Sequence, residues 1–184
     1  MNSGNDSTTS SEKLVCCYCN NSTSGAHNCH KCSKPYFSDC SLMYIADAIY
    51  LVLRGCQISQ CSLKNNKLKK LPPKLITNFP HMDVINLEGN QLAELPSEIG
   101  QWHALRGINL AHNRLERLPE PLLSCGQLSL LDLSGNSIED IDADALQRAF
   151  PALRQLHLRE CPISEAKIEA IRTRMGSMCQ IVYK

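Results

Sequence analysis

The sequence predicts an α/β solenoid: a short, curved parallel sheet made of stacked copies of one small unit, with a small cysteine-rich segment in front of it. Three observations carry this prediction. Aliphatic residues recur with a period of 23 to 25 residues between Ile58 and Ile163. Aromatic residues make up 5% of the 184 residues, which is thin for one compact core but natural for a stack of similar aliphatic layers. Eleven cysteines are present and six of them precede residue 41, so they do not form one framework. Charge adds exclusions, because 20% charged residues, 43% hydrophobic residues and a formal net charge of +1 suit neither a strongly basic nucleic-acid binder nor a disordered chain.

Residues 1–12 are polar and read as a disordered tail. They lack the positively charged stretch and the apolar run of roughly 7–15 residues that mark a secretory signal. The longest apolar stretch, Met43 to Leu53, is interrupted by Asp47 and followed by Arg54, short of the roughly 18 residues that a membrane span needs. A cytoplasmic, reducing setting without structural disulfides is the expectation. The sequons at Asn5, Asn20 and Asn21 are then chance, and the odd cysteine total points the same way.

Residues 13–40 are rich in cysteine and poor in aliphatics. Cys16-Cys17-Tyr18-Cys19 and Cys29-His30-Lys31-Cys32 give C-x2-C, nine intervening residues and C-x2-C. Four thiolates at that spacing suit tetrahedral zinc, and a short segment without an apolar core would draw its folding energy from the metal. The candidate structural-zinc ligands are Cys16, Cys19, Cys29 and Cys32, with Cys17, His27, His30 and Cys40 as alternatives. The segment resembles treble-clef and MYND-type fingers in that Tyr36-Phe37-Ser38-Asp39-Cys40 follows the second knuckle, but it lacks the further Cys and His ligands of MYND pairs. Two other readings stay open: an unstructured thiol-rich tail, and a disulfide-bonded N-terminal cap of the kind extracellular repeat proteins carry.

The region 44–163 repeats itself. Met82-Asp-Val-Ile85-Asn-Leu87-Glu-Gly-Asn90-Gln-Leu92 is followed in register by Leu105-Arg-Gly-Ile108-Asn-Leu110-Ala-His-Asn113-Arg-Leu115. Three more copies begin near residues 58, 128 and 153. In each, an x-Leu-x-Leu-x core forms a strand whose alternate side chains point inward, so that Leu87, Leu110, Leu133 and Leu158 stack. Asn66, Asn90, Asn113 and Asn136, with Cys161 in the same column, sit where the chain leaves the strand. There a buried amide satisfies backbone groups of its own and the adjacent turn. Three residues before each strand unit stand Phe79, Trp102, Cys125 and Phe150, which makes Trp102 a core residue; Cys61 and Cys125 act as small buried hydrophobes. Ala48 to Ile58 fits the same pattern as an irregular first copy, but Leu53 and Leu63 are only ten residues apart, too few for a return path. Residues 164–184 read as a cap: Ser164 as helix N-cap, Ile168 and Ile171 on one face, Gly176 ending the helix and Gln180–Tyr183 as a closing strand.

The pattern resembles the leucine-rich-repeat family, whose unit is L-x-x-L-x-L-x-x-N/C-x-L, and within it the small intracellular members. The resemblance covers roughly residues 44–163. It implies a leucine-rich-repeat solenoid whose outward strand residues line a concave, protein-binding sheet. The central outward column would be Val52, Ser62, Asn86, Asn109, Asp132 and His157; the next would be Arg54, Lys64, Glu88, Ala111, Ser134 and Arg159. Candidate partner-binding residues are Asp83, Asn86, Glu88, Arg106, Asn109, Asp132, Arg154, His157 and Arg159. Asp83, Glu88 and Asp132 would make the middle of the face acidic, and Arg154, His157 and Arg159 its C-terminal end basic. The matching partner is an unidentified protein of opposite charge order, bound by a monomeric, non-catalytic module. No Ser/His/Asp order, phosphate loop or HExxH motif stands in the sequence, and Cys161 and His157 should not meet. The alternative is a zinc-dependent nucleic-acid binder using the knuckle and the basic run Lys64, Lys67, Lys69, Lys70 and Lys74. That run lacks the interleaved aromatics of such sites and is balanced by Glu139, Asp140, Asp142 and Asp144.

Overall fold

Alternation of apolar and polar residues builds the strands, and the repeat length sets what joins them. The computed structural model describes Leu14–Val15, Ser22–Thr23 and residues 59–184. The chain divides into two compact units, Met1–Ser38 and Asp39–Lys184. In the first, strands β1 (Leu14–Val15) and β2 (Ser22–Thr23) pair antiparallel, with Leu14 opposite Thr23. The expected tail, the candidate ligands Cys16, Cys19, Cys29 and Cys32, and the irregular copy up to Ile58 lie outside the described residues.

In the second unit, strands β3 (Gln60–Ser62), β4 (Val84–Asn86), β5 (Gly107–Asn109), β6 (Leu130–Asp132), β7 (Gln155–His157) and β8 (Gln180–Val182) form one parallel sheet in sequence order. Each strand is one period from the next. Cys61, Ile85, Ile108, Leu131, Leu156 and Ile181 therefore stand side by side. Ile85, Ile108, Leu131 and Leu156 are completely buried, as are Leu87, Leu110 and Leu133 two residues on. Burying one such side chain is worth about 1.5–3 kcal/mol, and no single unit can do so without its neighbours.

The return paths are short helices. Helix α1 (Pro73–Asn78) and two 3-10 turns, Ser97–Gln101 and Glu120–Ser124, start after Pro72, Pro96 and Pro119. A proline at this position loses no hydrogen bond, because the first helical N–H groups have no partner within the helix. In helix α2 (Ala143–Ala149) the same position holds Asp142, whose Oδ1 accepts from Asp144 and Ala145 N–H. Each return path ends on the predicted apolar column, since Phe79, Trp102, Cys125 and Phe150 are its successive C-caps. Trp102 is fully buried as expected, and its Nε1–H donates to Phe79 O at 2.8 Å. Cys125 repeats that contact one unit later, its Sγ lying 3.4 Å from Ile99 O. The cap follows the prediction in outline: helix α3 (Glu165–Met175) buries Ile168 and Ile171, ends at Gly176 (φ 67°) and leads into β8. Ser164 is its N-cap residue, but its side chain makes no capping bond; Lys167 and Ile168 N–H donate to its main-chain oxygen instead.

The asparagine column is a continuous ladder. Asn113 Nδ2 donates to Leu110 O in its own turn and to Leu87 O in the preceding one, both at 3.0 Å, while its Oδ1 accepts from Leu92 N–H. Asn90 and Asn136 do the same. Cys161 closes the column with its Sγ 3.2 Å from Leu133 O. Asn66, in the same column, is half-buried, and its amide donates to Lys64 O in its own turn. A second device works at the neighbouring position, where Asn65, Gly89, His112, Gly135 and Glu160 all adopt positive φ. A Cβ on Gly89 would lie 2.0 Å from Asn65 Oδ1, and one on Gly135 would lie 2.3 Å from His112 Nδ1. Glycine thus leaves room for the side chain of the preceding turn as well as tolerating the left-handed backbone.

Candidate protein-binding face

Strand register brings Ser62, Asn86, Asn109, Asp132 and His157 into one outward line, as predicted, and continues it to Val182. Three of these residues also fix the strand ends. Asn86 Oδ1 accepts from Glu88 N–H, Asn109 Oδ1 from Ala111 N–H and Asp132 Oδ1 from Ser134 N–H, all at 2.9–3.0 Å. The neighbouring column holds Lys64, Glu88, Ser134 and Arg159 as expected. Ala111, expected to face outward in that column, is buried.

The charge order read from the sequence is changed by pairing across repeats. Arg106 grips Asp83 with two bonds, Nε to Oδ1 at 2.6 Å and Nη2 to Oδ2 at 2.5 Å. That contact holds the Asp83 carboxyl below its ordinary pKa and the Arg106 guanidinium above its own. Lys64 Nζ lies 2.9 Å from Glu88 Oε1, and Asn109 Nδ2 donates to Glu88 Oε2 at 3.3 Å. His157 Nδ1 lies 3.4 Å from Asp132 Oδ2. Asp83 and Glu88 are therefore answered by cations of adjacent repeats, while Asp132 meets the His157 ring. At the C-terminal end, Arg154 is exposed and Arg159 Nε donates to Lys184 O at 3.0 Å. Within the basic run, Lys70 is likewise paired, with Glu94 at 3.3 Å.

One outward column escaped the sequence reading. Gln60, Val84, Gly107, Leu130, Gln155 and Gln180 lie in register at the first position of each strand. Its ends are amides and its centre is apolar. Val84 is 40% exposed and is one of two large hydrophobic residues exposed to that degree among the described residues. An open cleft of about 420 Å³, lined by Asp83, Ala104, Arg106 and Gln127, adjoins this column at the strand starts. The column had a signal in the sequence: the first x of each x-Leu-x-Leu-x core belongs to the outward face as surely as the second.

A family model described as leucine rich repeat matches residues 61–115 and 103–163. The chain belongs to the leucine-rich-repeat family. It is 39% identical over 129 residues to the mouse leucine-rich repeat-containing protein 20, covering 69% of this chain and 70% of that one. It is 34% identical to the human leucine-rich repeat-containing protein 58 over 46% of this chain, which spans 24% of that relative. Among solved structures it is similar to a leucine-rich-repeat protein of Leptospira interrogans, with a TM-score of 0.59 and 30% identity over 66% of this chain and 30% of that one. Leucine-rich-repeat proteins use an open sheet of this kind as a scaffold for binding other proteins. No helix among the described residues is long and apolar enough to cross a membrane.

Proposed function

We propose that this chain is a non-catalytic leucine-rich-repeat module of the cytoplasm that binds a partner protein on the concave face of its sheet, through residues drawn from Asp83, Asn86, Glu88, Arg106, Asn109, Asp132, Arg154, His157 and Arg159. The observation that supports this reading is a contrast in composition. Columns facing the core are apolar from unit to unit, whereas the outward columns mix amide, acidic, basic and apolar residues while remaining in strict register. Such a face is rigid in geometry and free in chemistry, which suits selective recognition. Against catalysis, Cys161 is directed to Leu133 O and burial raises its thiol pKa, so it offers no thiolate to His157. Affinity purification from the native cell tests the reading. A variant carrying Glu88→Lys, Asp132→Lys and Arg159→Glu puts unpaired charge on the face and should lose partners that the wild type retains; an identical partner set would sink the proposal.

For the cysteine-rich segment we propose one structural zinc held by Cys16, Cys19, Cys29 and Cys32, on the strength of their spacing. Native mass spectrometry should find one zinc per chain, lost on replacing Cys29 and Cys32 by serine. A metal-free wild type would refute it.

A further inference from the structure

We infer that the strip Val84–Gly107–Leu130 is the anchor point of the concave face, and that it takes an uncharged polypeptide segment presenting an aliphatic or aromatic side chain. The inference rests on the concave-face reading and sharpens it to a chemistry.

Two observations converge. The strip lies at the centre of a column whose flanking positions are the amides Gln60, Gln155 and Gln180, which is the apolar-centre, polar-rim arrangement of protein-binding hot spots. Asp83 and Arg106, which directly precede Val84 and Gly107, line an open cleft of about 420 Å³ with Ala104 and Gln127. Charge complementarity then selects the occupant. Beside Val84 and Gly107, the carboxylates of Asp83 and Glu88 already face Arg106 and Lys64. A charged partner group placed there would lose its water without gaining a free counter-charge. A neutral segment meets no such cost, displaces water from Val84 and Leu130, and can accept from or donate to the Asn86 side-chain amide and the glutamines at either end.

Two variants leave the sheet intact. Val84→Thr keeps the branched shape of an exposed strand residue and replaces a methyl by a hydroxyl. Gly107→Gln introduces the residue that Gln155 and Gln180 already carry in this column, at a position where a Cβ meets Val84 at an ordinary 3.5 Å, and it covers the strip. The probe is a peptide selected from a random phage library on the full chain and then synthesised. Its affinity should fall about tenfold or more in each variant, and by less than about twofold in the variant Arg117→Glu with Gln147→Glu, which lies outside the outward strand columns. It should also change little between about 0.05 and 0.5 M salt, while circular dichroism shows all three variants folded. Binding kept in both strip variants and lost in Glu88→Gln with Asp132→Asn overturns the anchor assignment but leaves the concave face in place. Binding kept in the strip variants and lost in Arg117→Glu with Gln147→Glu overturns both. No enriched peptide also overturns the assignment.

Discussion

The two faces of the one sheet follow different rules. On the inner face, residues one period apart are interchangeable: Ile85, Ile108, Leu131 and Leu156 share one column, and Asn90, Asn113 and Asn136 make the same bonds. On the outer face they are complementary, so that Asp83 meets Arg106, Lys64 meets Glu88 and Asp132 meets His157. The difference teaches that a stack repeats where each unit must cover the next, and varies where each unit can answer its neighbour. Inner positions should therefore be costly to change and outer ones cheap.

The sharpest break would come at Trp102. Trp102→Ala empties a fully buried site and removes the shorter of the two hydrogen bonds to Phe79 O. A loss of about 3–5 kcal/mol is expected in urea unfolding; less than about 1 kcal/mol would mean that the return-path column does not hold the stack together. Next stands the ladder. Asn113→Ala strands Leu92 N–H and leaves Leu87 O and Leu110 O with one amide donor each in place of two, and should cost about 1–3 kcal/mol. A much smaller loss would show that water replaces the amide.

Gly135→Ala should cost about 1–3 kcal/mol, since its Cβ meets His112 and the backbone is left-handed. The combination His112→Ala with Gly135→Ala should recover part of that cost, leaving the backbone strain. Additive effects would mean that His112 does not press on this turn.

Cys125 gives a pH-dependent version of the same comparison. Burial raises its thiol pKa from 9.0 to about 11. Because the unfolded chain ionises first, this thiol's contribution to stability is constant at neutral pH and falls as pH rises from about 9 towards 11. Comparing urea midpoints of the wild type and Cys125→Ala across that window should show a steeper decline in the wild type. Parallel curves would place the thiol in solvent. The smallest effect is expected outside, at Asp83→Asn with Arg106→Gln, where removing both an exposed guanidinium and its half-buried carboxylate partner should alter stability by less than about 1 kcal/mol. A loss of several kcal/mol there would erase the distinction between the faces.

Much of the fold was legible because burial imposes periodicity. The ladder, the Phe79–Trp102–Cys125–Phe150 column and the closing strand all follow from spacing. Two details escaped: the cap at Asp142, which replaces the proline of earlier units, and the idle hydroxyl of Ser164. The candidate site was legible in position but not in charge. The ion pairs of this face join residues one period apart, so the signal was present in the aligned repeats. Taking the charges residue by residue gave an acidic middle in which Asp83 and Glu88 are paired across repeats.

Between residues 59 and 184 the sequence by itself determined which residues face inward, in what register the units stack and where the stack closes at its C-terminal end, because a buried column accepts only a few residue types and so writes its period into the chain. Only the tertiary structure decided what the outer face presents. Whether Asp83 offers a charge to a partner or spends it on Arg106, and whether Val84 lies among charges or in an apolar strip, depends on side chains from different repeats meeting across strands. Register brings them together, and solvent exposure leaves their identities unconstrained by burial.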